Sequence, residues 1–139
     1  MRAVGWSMRA HLRITTLSRV PTVSIVDDDD SVRGATARFV RLHGFLVHAF
    51  ASAEEFLQSA VVDETACLIT DVQMPGMSGY ELQRRLIADG RRIPVIFITA
   101  FPQEGSRAKA LKAGAIGFLT KPFDGNTLIG RLREAMKTG

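Results

Sequence analysis

An α/β domain with a parallel sheet covered by helices on both faces is what this chain predicts, and three features predict it. Short apolar runs and amphipathic stretches alternate five times between Val23 and Met136. The runs are largely apolar along their length, as strands buried on both faces are. Parallel strands need a crossover, usually a helix, and each intervening stretch reads as one.

Val23-Ser24-Ile25-Val26 is the first strand. Asp30 or Ser31 is placed to cap the next helix, whose Ala35, Phe39, Val40 and Leu42 are expected to face inward, and His43-Gly44 ends it. Phe45 to Ala49 reads as the second strand. Ser52-Ala53-Glu54-Glu55 is a capping box opening a short helix through Phe56 and Leu57. Ala66 to Thr70 is the third strand, which delivers Asp71 to a turn containing Pro75-Gly76. Gly79 to Asp89 is a helix with Leu82 and Leu86 on its inner face and Arg84 and Arg85 outside, closed by Gly90. Pro94 admits the fourth strand, which Thr99 ends. Beyond a loop at 101–105, Ala108, Leu111 and Ala113 are expected to form a helix of small residues that stops at Gly114. Ile116 to Thr120 is the fifth strand and runs into Lys121-Pro122. Asp124 to Met136, with Leu128, Ile129, Leu132 and Met136 at helical spacing, supplies the last helix.

At 139 residues the chain is one domain, large enough to bury a core without metal or disulfide staples. Its one cysteine, Cys67, lies in an apolar run and reads as a small core residue. No run approaches the roughly 18 apolar residues of a membrane span, so a soluble, cytoplasmic protein with no membrane partner is expected. The net charge of +4 is local: residues 1–20 carry Arg2, Arg9, Arg13 and Arg19 without an acid, and residues 21–139 carry 14 basic and 14 acidic side chains. A neutral domain gives no support for direct nucleic-acid binding. Residues 1–20 superficially match a transit peptide. They are read instead as a basic, flexible tail before a domain spanning 21–139, or as the product of a start codon placed too early, with Met8 as another start.

Four strand-like segments finish in Asp27-Asp28, Asp71, Thr99 and Lys121. Parallel strands put their carboxyl ends on one edge, where open α/β sheets bind ligands. Asp27, Asp28 and Asp71 brought together repel one another unless a proton or cation intervenes. An all-oxygen site with room for water suits Mg²⁺. Lys121 adds an ammonium and Thr99 a hydroxyl, giving a site for a small doubly charged oxyanion. Asp71 stands there as a nucleophile able to form an acyl phosphate. Asp29 and Asp30 read as turn and cap residues.

These segments carry a family resemblance. Val26-Asp27-Asp28, Asp71-Val72-Gln73-Met74-Pro75-Gly76-Met77-Ser78-Gly79, Ile98-Thr99-Ala100 and Lys121-Pro122-Phe123 resemble the CheY-like receiver domain of two-component response regulators. Ser52-Ala53-Glu54-Glu55-Phe56-Leu57, Pro94 to Thr99 and Leu111-Lys112-Ala113-Gly114-Ala115 look like the FixJ-type branch. The resemblance covers about residues 22–137. It implies a flavodoxin-like (βα)5 fold with strand order 2-1-3-4-5. It also implies that Asp71 takes a phosphoryl group from a sensor histidine kinase or phosphotransfer protein. Asp28 and Asp71 would hold Mg²⁺ directly and Asp27 largely through water, with the main-chain carbonyl of Gln73 completing the protein ligands.

Thr99, Ala100 and Lys121 would border the phosphoryl group, and Thr99 with Phe118 would form the switch pair. Lys121-Pro122 would be a cis peptide. Self-phosphorylation from small donors, self-dephosphorylation and a homodimer through the fourth helix, fifth strand and fifth helix follow from the same resemblance. Gln73 and Ala100 stand at positions the family varies. Ala100-Phe101-Pro102-Gln103-Glu104-Gly105 departs from the Gly-His-Gly-Asp expected in the nearest branch.

A Mg²⁺-dependent phosphatase of the haloacid dehalogenase kind also uses a strand-end Asp, but it wants a second Asp two residues later, where Gln73 stands. With no helix-turn-helix or catalytic segment before Gly139, the chain reads as a stand-alone receiver or as the receiver part of a FixJ/LuxR-type transcription regulator.

Overall fold

The structure, a computed structural model, describes residues 20–138. Apart from residue 20, the basic segment expected as a tail lies outside the described residues. Five parallel strands form one sheet: β1 Thr22–Val26, β2 Leu46–Phe50, β3 Thr65–Asp71, β4 Val95–Thr99 and β5 Gly117–Thr120. Their order is β2-β1-β3-β4-β5, the flavodoxin-like order expected from the resemblance. The helices are α1 Asp30–Leu42, α2 Ala53–Gln58, α3 Gly79–Ala88, α4 Ser106–Lys112 and α5 Gly125–Thr138, with a 3-10 turn at Ala60–Glu64.

Strand side chains alternate between two cores, as the two-residue period requires. Val23, Ile25, Cys67, Ile69, Ile96 and Ile98 point to the face covered by α1 and α5. Val26, Leu68, Val95 and Phe97 point to the face covered by α2, α3 and α4. Cys67 is fully buried and its thiol is pushed up to about 12 by that burial, which fits an unreactive core residue.

Three local readings are corrected. The cap of α1 is Asp29, whose carboxylate accepts the Val32 amide at 3.1 Å, rather than Asp30 or Ser31. The inward stripe of α1 is Thr36, Ala37 and Val40, with Phe39 half-buried; Ala35 is exposed and Leu42 is 82% exposed. Stepping back three and four residues from Val40 gives Ala37 and Thr36, while Leu42 is two positions on and faces away. In α4 the buried residue is Ala110, and Ala108, Leu111 and Ala113 are exposed, because seven residues touch the sheet at little more than one point. At α2, Ser52 does cap, accepting the Glu55 amide at 3.1 Å. A reciprocal capping box occurs at α3, between Ser78 and Glu81.

Candidate functional site

The register of the central strands sets the site. Val26 of β1 pairs with Thr70 of β3, so the next residues, Asp27 just past β1 and Asp71 at the end of β3, stand side by side at the edge of the sheet. Asp27 is 0% exposed. Its amide continues the ladder to the Phe50 carbonyl at 3.1 Å, its own carbonyl accepts Arg33 Nη1 at 2.8 Å, and its Oδ1 accepts the Asp29 amide at 3.0 Å. Asp71 is also buried, with Oδ1 accepting the Val72 amide at 2.7 Å. Asp28 is exposed, at the mouth. One oxygen from each of the three carboxylates lies within 4.8 Å of the others.

Lys121 enters from the end of β5, where its amide donates to the Thr99 carbonyl at 2.8 Å. Its Nζ then bridges Asp27 Oδ2 at 3.1 Å and Asp71 Oδ2 at 3.2 Å. The Lys121–Pro122 bond is cis. Burial raises the Asp71 pKa and the Asp27 charge raises it further, against the opposing pull of Lys121 and the Val72 amide. For Lys121 burial acts the other way, but the hydrogen bond and charge of Asp27, then Asp71, outweigh it and hold the ammonium above its ordinary value. One ammonium among three carboxylates leaves a net negative pocket of hard oxygen donors, a fit for a small divalent cation.

The loop after β3 is pinned from several directions. A methyl on Gly79 would stand 2.2 Å from the Asp71 carbonyl oxygen, so only glycine allows α3 to start this close. The Gly79 amide closes the loop onto the Val72 carbonyl at 2.9 Å. Glu54 reaches across from α2 and accepts the Met77 amide at 3.0 Å.

Thr99 lies buried at the end of β4 and Ala100 follows it, exposed. The Thr99 hydroxyl donates to Gln73 Oε1 at 2.7 Å. Phe118 is 5% exposed and packs in the core beneath α3 and α4. Sequence reasoning missed three side chains. Arg33 fixes the Asp27 carbonyl, Glu54 ties the loop after β3 to α2, and the Gln73 side chain binds Thr99 and Phe101. Each acts on a residue 6 to 28 positions away, a contact that local pattern does not encode.

The family model for the response regulator receiver domain matches residues 23–133, which include every site residue above. The chain belongs to this family. Among curated relatives, the response regulator protein TodT of Pseudomonas putida is 43% identical over 119 residues, 86% of this chain and 52% of that protein. The transcriptional regulatory protein FixJ of Azorhizobium caulinodans is 39% identical over 114 residues, 82% of this chain and 54% of that one. This receiver domain thus spans about half the length of the curated relatives it matches. Among solved structures, FixJ-N is 39% identical with a TM-score of 0.75, covering 84% of this chain and 94% of that one. The response regulator StyR is 42% identical with a TM-score of 0.79, covering 86% and 60%. The FixJ-type affinity expected from the sequence is borne out. Receiver domains are switches rather than enzymes in the main, and they bind Mg²⁺ at an acidic pocket of the kind formed here by Asp27, Asp28 and Asp71.

Proposed function

We propose that Asp71 is the phosphoacceptor of this receiver domain and that a sensor histidine kinase or phosphotransfer protein is the donor. The observation carrying this reading is the convergence of three carboxylates and the Lys121 ammonium, from residues as far apart as 27 and 121, on one edge of the sheet. An Asp71 oxygen attacks the phosphorus of a phosphohistidine, the P–N bond breaks with its electrons going to the imidazole, and an acyl phosphate results. Lys121 moves with the charge, from the Asp71 carboxylate to the phosphoryl oxygens it acquires. Asp28 and Asp71 would hold Mg²⁺ directly, Asp27 largely through water, and the Gln73 carbonyl would complete the protein ligands. Bound there, the ion offsets the charge of the acids and of the incoming group. Thr99 and the Ala100 segment border the phosphoryl position, and Thr99 with Phe118 forms the switch.

The same reading extends to self-phosphorylation from small donors, self-dephosphorylation, self-association through α4, β5 and α5, and action in the cytoplasm. Residues 1–20 would be a tail outside the receiver. FixJ is named a transcriptional regulatory protein and this chain matches about half of it, which supports descent from a regulator whose DNA contacts lie outside the receiver. Incubation with acetyl phosphate and Mg²⁺ is expected to add one phosphoryl group, seen by intact-mass measurement. Equal labelling of Asp71→Asn would remove the assignment.

A further inference from the structure

The Gln73 side chain makes contacts that phosphoryl transfer does not use. Its Oε1 accepts the Thr99 hydroxyl at 2.7 Å, its Nε2 donates to the Phe101 carbonyl at 3.2 Å, and the Phe101 amide donates to Thr99 Oγ1 at 3.1 Å. The pattern fixes the orientation of the amide. Turned over, it would set Oε1 against the Phe101 carbonyl, two acceptors with no proton between them. The Thr99 hydroxyl has one proton to give, and Gln73 takes it. A phosphoryl oxygen on Asp71 needs that same proton, so the two acceptors compete for it.

Phe101 is bound to both partners. It begins the loop leading to α4 and is 74% exposed, and Gly105 at the start of α4 supplies no side-chain cap. Phe118, the other residue of the proposed switch pair, is by contrast buried. The aromatic whose backbone is hydrogen-bonded to Thr99 is Phe101, the one on the surface. These same residues, Gln73, Thr99, Phe101 and Phe118, line a cavity of about 340 Å³ that also touches Tyr80, whose buried hydroxyl has no hydrogen-bond partner among the described residues. The loop thus has room to rearrange once its ties are cut.

We infer that Gln73 is a positioning residue: a latch that holds the Thr99 hydroxyl away from the phosphoryl position in the resting protein and, on release, frees the Phe101 segment. The inference rests on Asp71 being the phosphoacceptor, and deepens that reading by naming what phosphorylation must displace.

The test is a double-mutant cycle of Gln73→Met, which keeps length without hydrogen bonds, and Thr99→Ala. Beryllofluoride, standing in for the phosphoryl group, is titrated at saturating Mg²⁺, and amide hydrogen exchange is followed by NMR in the free proteins. Gln73→Met is expected to bind beryllofluoride about three- to tenfold more tightly, the exchange of one neutral hydrogen bond. In the Thr99→Ala background the same change is expected to alter affinity by less than about twofold. The Phe101 amide is expected to exchange about threefold faster in free Gln73→Met, with the Ile69 amide of β3 unchanged as a control for folding. Equal or weaker binding by Gln73→Met, an equal gain in both backgrounds, or unchanged exchange at Phe101 would each overturn the latch. No binding by the unsubstituted protein would instead overturn the phosphoacceptor reading, and the competition with it.

Discussion

The two faces of the sheet are covered to different depths. One carries the 13-residue α1 and the 14-residue α5, the second anchored by Leu128, Ile129, Leu132 and Ala135. The other carries α3 between two short helices, α2 of six residues and α4 of seven. The site is divided along the same line. Asp27 and Lys121 stand on the loops that lead into α1 and α5, whereas Asp71 with Gln73, and Thr99 with Phe101, lead into α3 and α4. The buried acid and its ammonium are thus fixed from the deep face, and the hydrogen bonds that can be exchanged sit over the shallow one. Segments that must move are drawn from the less stable part of a fold, and α4 has the weak cap and few buried contacts of such a segment.

Substitutions can break or sharpen this contrast. Leu132→Ala empties a fully buried position under α5 and is expected to cost about 3 kcal/mol in denaturant unfolding, within the range for buried leucines. A loss below about 1 kcal/mol would mean that the α5 face is not the rigid one. Next comes Gly79→Ala, which forces the start of α3 off the Asp71 carbonyl and is expected to cost about 2 kcal/mol. It should also weaken beryllofluoride binding, since the displaced backbone carries the proposed acceptor, Asp71.

Asp71→Asn acts in the opposite direction. The folded-state pKa of Asp71 is raised, so the folded protein holds that proton to higher pH than the unfolded chain does. Ionisation therefore removes stability as pH climbs from the ordinary aspartate range through the raised value, and the cost is fully present above it. Lys121 remains protonated across this window. In Mg²⁺-free buffer the asparagine variant is expected to melt higher than the parent at pH 7, with the gain vanishing below the ordinary aspartate value. A gain that grows toward acid would refute the shift. The smallest effect is expected for Leu111→Ala on α4, 41% exposed, which should stay within about 0.5 kcal/mol.

The central strands and the residues at their ends were legible because burial on two faces leaves continuous apolar runs that stop at a polar residue. The strand order came instead from the family resemblance, since apolar runs do not say which strands are neighbours. Helix faces were less so. Val40 was placed correctly but Leu42 was not, because apolar character does not say which side of a helix meets the sheet when the stripe also uses Thr36 and Ala37. Small residues mislead most, as at Ala108 and Ala113, since alanine is at home in or out. The hydrogen bonds of Gln73 and Glu54 were hidden for another reason. Their partners, Thr99, Phe101 and Met77, lie 23 to 28 residues away and become neighbours only once the loops are placed over the strands.

The step from Val26 and Thr70 to Asp27 and Asp71 ties the spacing of two acids to the main-chain ladder of β1 and β3. Inserting one residue in either strand would send its acid to the opposite side of the sheet, with no intermediate setting. Drift in surrounding side chains can retune the charges, but the acid pair itself is gained or lost as a unit, with strand pairing as its ruler.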